Sequence, residues 1–283
     1  MNRRNFLKTS IAGTGIVALS SCSKAFGYFD NTEHQIIKQS IKIKNLPVEF
    51  KNCTIALISD IHSQDTMTKT MMSQYAKIVN SLNSDLIFVT GDFVNRKLDE
   101  VYPFAEAFSI LKAPLGVFGC LGNHDYFTGK VEEVSKEVDD CGIKLLRNDF
   151  IKITKGNSFI NLIGVDDIGW KFDKHTKPKL DDTISNVKND EPKILLCHRP
   201  NYLEDFSRLK IDLTLSGHTH GGQIVLIEDM NWLSLAGIVT PYVAGLYKME
   251  NSQLYVNRGI GTVGPSLRIN CLPEVTLITL EKS

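Results

Sequence analysis

Five short apolar runs, at residues 54–59, 86–90, 117–121, 193–197 and 213–216, each stop at a cluster of glycine, aspartate, asparagine or histidine. The clusters are Asp60-Ile61-His62, Gly91-Asp92, Gly122-Asn123-His124-Asp125, His198 and Gly217-His218-Thr219-His220. Runs of this length read as buried strands, and glycine at their ends permits tight turns. Helical spacing at 69–82, 99–111, 130–141 and 202–209 fills several of the gaps. Strand, loop, helix, strand is the order of an α/β sheet whose chemistry lies on the loops after the strands.

Two regions break the alternation. Residues 150–153 and 159–165, joined by Lys155-Gly156-Asn157, read as a hairpin. The stretches 224–227, 242–249, 254–257 and 275–280 read as consecutive strands, which calls for a second sheet packed on the first. No internal repeat or linker divides the chain, so one domain is expected over 41–283, preceded by a polar tether over 23–40.

Five of the seven histidines, all but His34 and His175, fall in or directly after the apolar runs. With Asp60, Asp92 and Asn123 they form a nitrogen and oxygen donor set that suits Mn, Fe, Zn or Co, with no thiolate to make a structural zinc knot. Asp60, His62, Asp92, Asn123, His198, His218 and His220 are too many ligands for one ion. They are enough for two divalent ions if one carboxylate bridges, and Asp92, central in the series, is the candidate bridge. Paired cations can activate water and clamp phosphoryl oxygens during in-line displacement.

The ordered series resembles the calcineurin-like metallophosphoesterase family over nearly the whole chain beyond its amino terminus. The resemblance implies a four-layer α-β-β-α sandwich of two mixed sheets flanked by helices. It also implies one metal held by Asp60, His62, Asp92 and His220, and a second by Asp92, Asn123, His198 and His218. His124 matches the family's non-ligand histidine, implied to contact phosphate and protonate the leaving group, with Asp125 orienting it. The implied function is hydrolysis of a phosphodiester or pyrophosphate bond, with Mn the first metal to try in vitro. Gly221-Gly222-Gln223, the stretch Tyr255-Val256-Asn257-Arg258-Gly259 and Pro273-Glu274-Val275 are similar to the exported or membrane-associated bacterial branch. That branch is similar to phosphodiesterases acting on UDP-2,3-diacylglucosamine. The same motifs admit a phosphomonoesterase or nucleotidase, or an envelope protein that binds metal without turnover; an intact His124-Asp125 favours catalysis.

The amino terminus carries an address. Arg3-Arg4-Asn5-Phe6-Leu7-Lys8 and the apolar run 11–19 resemble a twin-arginine export signal, and Leu19-Ser20-Ser21-Cys22 resembles a lipobox in which Cys22 is lipidated. Residues 1–22 are therefore expected to be a signal peptide, placing the domain in the envelope, anchored to membrane or periplasmic; ordinary cleavage near Ser20 is the alternative. The remaining five cysteines are odd in number and lack paired spacing, so no disulfide framework is expected. Thirty-two basic and 32 acidic residues give no net charge. Nucleic acid is thus not expected, and a phosphorylated small-molecule or lipid substrate must be held locally. Nothing in the sequence sets the oligomeric state.

Other polar residues have weaker claims. Arg199 follows His198 and reads equally as a phosphate contact or a surface arginine; Arg258 and Arg268 read as solvated ion pairs. Asp166 and Asp167 read as a turn cap, near Trp170 and Phe172, which could cover an apolar substrate tail. Lys171, Lys174, Lys177 and Lys179 around His175 read as a solvated basic loop.

Overall fold

Residues 33–169, 177–227 and 230–283 of a computed structural model are described. Two six-stranded sheets pack face to face. In the first the order is β1 (Gln35–Ile43), β12 (Glu274–Lys282), β2 (Thr54–Ile58), β3 (Leu86–Val89), β4 (Val117–Gly119), β5 (Lys144–Leu145). In the second it is β10 (Gly245–Met249), β11 (Ser252–Val256), β9 (Leu213–Ser216), β8 (Lys193–Leu196), β7 (Ser158–Gly164), β6 (Asp149–Lys155). Strands β2 to β5 run parallel, as do β7, β8, β9 and β11. The antiparallel pairs are β12 with β2, β10 with β11 and β6 with β7.

Strand alternation builds the layers. Ile55, Leu57, Leu86 and Phe88 face the other sheet, where Leu162, Ile194, Leu196, Leu213 and Leu215 meet them. Their neighbours Ala56, Ile58, Ile87 and Val89 face outward. Strands apolar on both sides must be covered on both sides. Helices α1 (Lys69–Ser81), α2 (Val101–Phe108) and α4 (Val131–Asp140) cover the first sheet through Met72, Val79, Phe104, Phe108 and Val134. Helices α5 (Lys177–Ser185) and α6 (Leu203–Arg208) cover the second through Leu180, Ile184 and Phe206. Short helices α3 (Asn123–Phe127) and α7 (Leu235–Val239) lie in the loops at the carboxyl ends of the strands. The architecture is the expected four-layer α-β-β-α sandwich.

Several expected boundaries differ. Strand β1 starts at Gln35, inside the stretch 23–40 expected to be tether; among the described residues it is an edge strand paired only with β12, and its exposed polar residues read as linker. Residues 224–227 form one bridge, Ile224 to Ile269, rather than a strand. The stretch at 275–280 is β12, which enters the first sheet rather than the second. Lys177 and Lys179 begin helix α5 rather than continuing a basic loop. The expected signal peptide with Cys22, and Trp170, Lys171, Phe172, Lys174 and His175, lie outside the described residues.

Candidate metal centre

Strands β2, β3 and β4 of one sheet and β8 and β9 of the other end at the same edge, and the loops after them meet. Asp60, His62, Asp92, Asn123, His198 and His220 are all buried there, and His218 is partly so. Main-chain strain marks the cluster: Asp60, His62, Asp92, His218 and His220 all hold positive φ, between 47° and 72°. Non-glycine residues rarely take that conformation, and it persists only where surrounding contacts enforce it. Glycines allow the close approach. A Cβ on Gly122 would collide with the Asp92 carboxylate, and one on Gly217 with Ser59 and Asp60.

The donor atoms converge in overlapping groups, of which His62, Asp92 and His124 form one that links the other two. Asp60, His62 and His220 bring ligand atoms together, as do Asp92, His198 and His218. His62 Nε2 lies 3.1 Å from His220 Nε2, and His220 Nε2 lies 3.4 Å from Asp60 Oδ1. His198 Nε2 lies 3.2 Å from His218 Nδ1. The same oxygen of Asp92, Oδ2, stands 3.5 Å from His62 Nε2 and 3.2 Å from His198 Nε2. Asn123 Oδ1 is buried with no hydrogen-bond partner.

Electrostatics suits a cation-binding set. Burial drives the His62 imidazole down to about 3 and holds His218 and His220 well below their ordinary range, so all three stay neutral. Asp92 is buried too, which raises its pKa, but the charge of His198 outweighs this and holds its carboxyl far below the usual range. His198 loses water yet is lifted to about 10 by Asp92. The neutral imidazoles of His62, His218 and His220, the ionised carboxylate of Asp92 and the orphaned amide oxygen of Asn123 together fit divalent cations.

Carbonyls set the imidazole tautomers. His198 Nδ1 lies 2.7 Å from the Thr90 carbonyl, so Nδ1–H donates there and Nε2 is the ring nitrogen turned toward the cluster. His124 Nδ1 likewise donates to the Asn95 carbonyl at 2.7 Å, and its ring joins His62 and Asp92 at the cluster wall. Asp125 departs from expectation. It does not orient the His124 ring; its oxygens accept the N–H groups of Asp92, Phe93, Val94 and Gly122 at 2.8–3.3 Å. It is a buried anchor of the two loops that carry Asp92 and Asn123. With burial and Asp92 raising it, its carboxyl is pushed up to about 8.

The arginines are where sequence reasoning fell short. Arg199 is buried, its Nε and Nη2 donating to the two oxygens of Asp167 at 2.6 and 3.2 Å, with Nη1 2.9 Å from His218 Nε2. Asp167 is therefore the partner of this arginine rather than a turn cap, and Asp166 pairs with Arg147. Arg268 is buried beneath His220, donating to the carbonyls of His220, Arg258, Gly259 and Gly261. Arg258 pairs with buried Glu274, to which Tyr255 also donates, and Asn257 accepts the Gly259 N–H at 2.8 Å. The motif at 255–259 thus holds the loop that Gly259 presses against Asp60. The adjacency of Arg199 to His198 was the one available signal; its pairing with Asp167 crosses 32 residues.

Residues 53–222 match the family described as calcineurin-like phosphoesterase. A Danio rerio protein, "Transmembrane protein with metallophosphoesterase domain", is 29% identical over 257 residues, covering 88% of this chain and 58% of its own length. The chain therefore spans less than two thirds of that relative. The uncharacterized metallophosphoesterase YkuE of Bacillus subtilis is 29% identical over 100% of this chain and 99% of its own. The crystal structure of TT1561 of Thermus thermophilus superposes with a TM-score of 0.50 at 12% identity, over 74% of this chain and 91% of that one, and so shares the fold. Among the described residues no helix is long and apolar enough to cross a membrane.

Proposed function

The chain belongs to the calcineurin-like phosphoesterase family, and from that premise we propose that it is a dinuclear metal-dependent phosphoesterase of the cell envelope. Its substrates are phosphodiesters or pyrophosphates, of which lipid- and sugar-linked ones are the first to test.

One observation carries the reading: Asp92 Oδ2 faces an imidazole of each donor group at 3.5 and 3.2 Å, which is the placement a shared ligand needs. Asp60, His62, Asp92 and His220 would hold one divalent cation, and Asp92, Asn123, His198 and His218 the other. When bound, such a pair supplies Lewis-acid polarisation of the phosphoryl group and lowers the pKa of a water. The chain's own residues do the rest. His124, fixed through Nδ1 by the Asn95 carbonyl, presents Nε2 as the proton donor to the departing oxygen. Asp125 holds the Asp92 and Asn123 loops in register through four amides. Arg199, its charge matched by Asp167, fixes the His218 ring from the side away from His198.

The test is hydrolysis of an aryl phosphodiester, an aryl phosphomonoester and a panel of nucleotide sugars and lipid pyrophosphates by the purified, Mn-loaded chain. Diester or pyrophosphate cleavage lost in His124→Ala is the expected result. A fully metallated chain that leaves every ester intact would refute the reading.

A further inference from the structure

Beside the metal centre the chain exposes an apolar surface that no element among the described residues covers. It is formed by residues 224–227 and 230–239, with Leu226 75%, Trp232 60%, Leu235 81%, Ile238 81% and Val239 61% exposed. Leu235, Ile238 and Val239 sit at i, i+3 and i+4 of α7, so this short helix turns its apolar face outward. A groove of about 580 Å³ runs between this surface and the metal centre, lined by His220 and Thr219 at one end and by Leu226, Leu235, Ile238 and Pro265 beyond. Patches of this kind mark interaction sites on soluble domains.

Two observations select the occupant. From Met230 to Tyr247 there is no Asp, Glu, Lys, Arg or His, and the only charges between the two apolar stretches are Glu228 and Asp229. A protein partner would be met by a polar and charged rim, whereas hydrocarbon requires an uncharged inserted surface, and Trp232, 60% exposed, supplies an amphipathic aromatic of the kind that seats at a membrane interface. The second observation is where the chain enters the body. Gln35 accepts from Arg258 Nη2 at 2.6 Å, Arg258 packs against Gly221, and the Gly221 carbonyl accepts from Asn231 Nδ2 at 2.7 Å. The residues before Gln35 thus join the domain on the face carrying the apolar segment. Cys22, the residue expected to carry lipid, lies 13 residues before Gln35, roughly 45 Å of extended chain.

We propose that residues 224–227 and 230–239 form a docking surface for a lipid bilayer, seated so that the groove opens the metal centre to the membrane interface. The surface is independent of which ester is cut, and its test does not read turnover.

The chain has two tryptophans, so Trp170→Phe in the full chain leaves Trp232 as sole reporter. Vesicles of equimolar phosphatidylethanolamine and phosphatidylglycerol should shift Trp232 emission to the blue, and dibrominated acyl chains should quench it. Leu235→Asn with Ile238→Asn should abolish both effects and weaken vesicle binding about a hundredfold or more, since each inserted aliphatic side chain contributes at least about tenfold. An unaltered near-ultraviolet circular dichroism spectrum shows that the variant is folded. Trp232 emission unchanged on vesicles that sediment the protein would overturn the proposal. So would emission already blue in a lipid-free monomer, or a blue shift that tracks dimer formation, which assign the surface to the chain itself or to a second copy.

Discussion

The main chain of His124 is bonded to Asp92: its N–H donates to Oδ1 at 2.8 Å. The other oxygen of the same carboxylate faces His62 and His198. The residue proposed to move a proton and the residue proposed to bridge the metals are thus one rigid unit.

That unit separates two kinds of loss. His124→Ala keeps the N–H, so metal content should be unchanged while kcat falls about 10²–10⁴-fold, the usual contribution of a positioned proton donor. Asp92→Ala should lower both. Metal analysis beside steady-state kinetics checks this, and a His124→Ala protein that loses its metals would contradict the assignment.

His218 and His220 are two residues apart yet join different donor groups. His218→Ala and His220→Ala should each retain about half the metal of the parent, and each should abolish the exchange-coupled electron paramagnetic resonance signal of a Mn pair. Loss of both ions from either single variant would show that the sites fill as one.

Buried Arg199 and partly buried Asp167 form a bidentate pair against His218. Asp167→Ala removes the carboxylate that chelates the buried guanidinium and should lower stability by about 3 kcal/mol, within the range for breaking one side of a buried pair. Urea unfolding measures it. A change below about 1 kcal/mol would mean that Arg199 finds water or another carboxylate.

Gly122→Ala places a methyl group on the Asp92 carboxylate. The two loops must separate, so metal affinity should drop at least about tenfold, the scale of a disturbed supporting shell. Titration with Mn followed by calorimetry reads the change, and wild-type affinity would show that the loops flex at no penalty.

How legible the site was depends on the range of the contacts. Asp60, His62, Asp92, His124, His198, His218 and His220 could be read because each directly follows an apolar run, and strands of one edge deliver such residues to one place. What fastens them could not. The Thr90 and Asn95 carbonyls that fix His198 and His124 are main-chain atoms, silent in any side-chain pattern. The family resemblance implies an orienting role for Asp125; the short helix beginning at Asn123 turns its carboxylate toward the Asp92 loop instead. The layers followed from apolar alternation. The edge strand β1 did not, because only its inner residues Ile41 and Ile43 are buried.

Strand β12 lies between β1 and β2, although nearly the whole domain separates it from them in sequence. On a ribosome, β1 and β2 must wait without their common neighbour until residues 274–282 have been made, their edges open to wrong partners. Closing so long a loop is slow, because the entropy of bringing distant segments together precedes the contacts that reward it. The first sheet is therefore complete only late in synthesis, and a chain shortened by this one strand would lose its central pairing together with Glu274, which anchors Arg258.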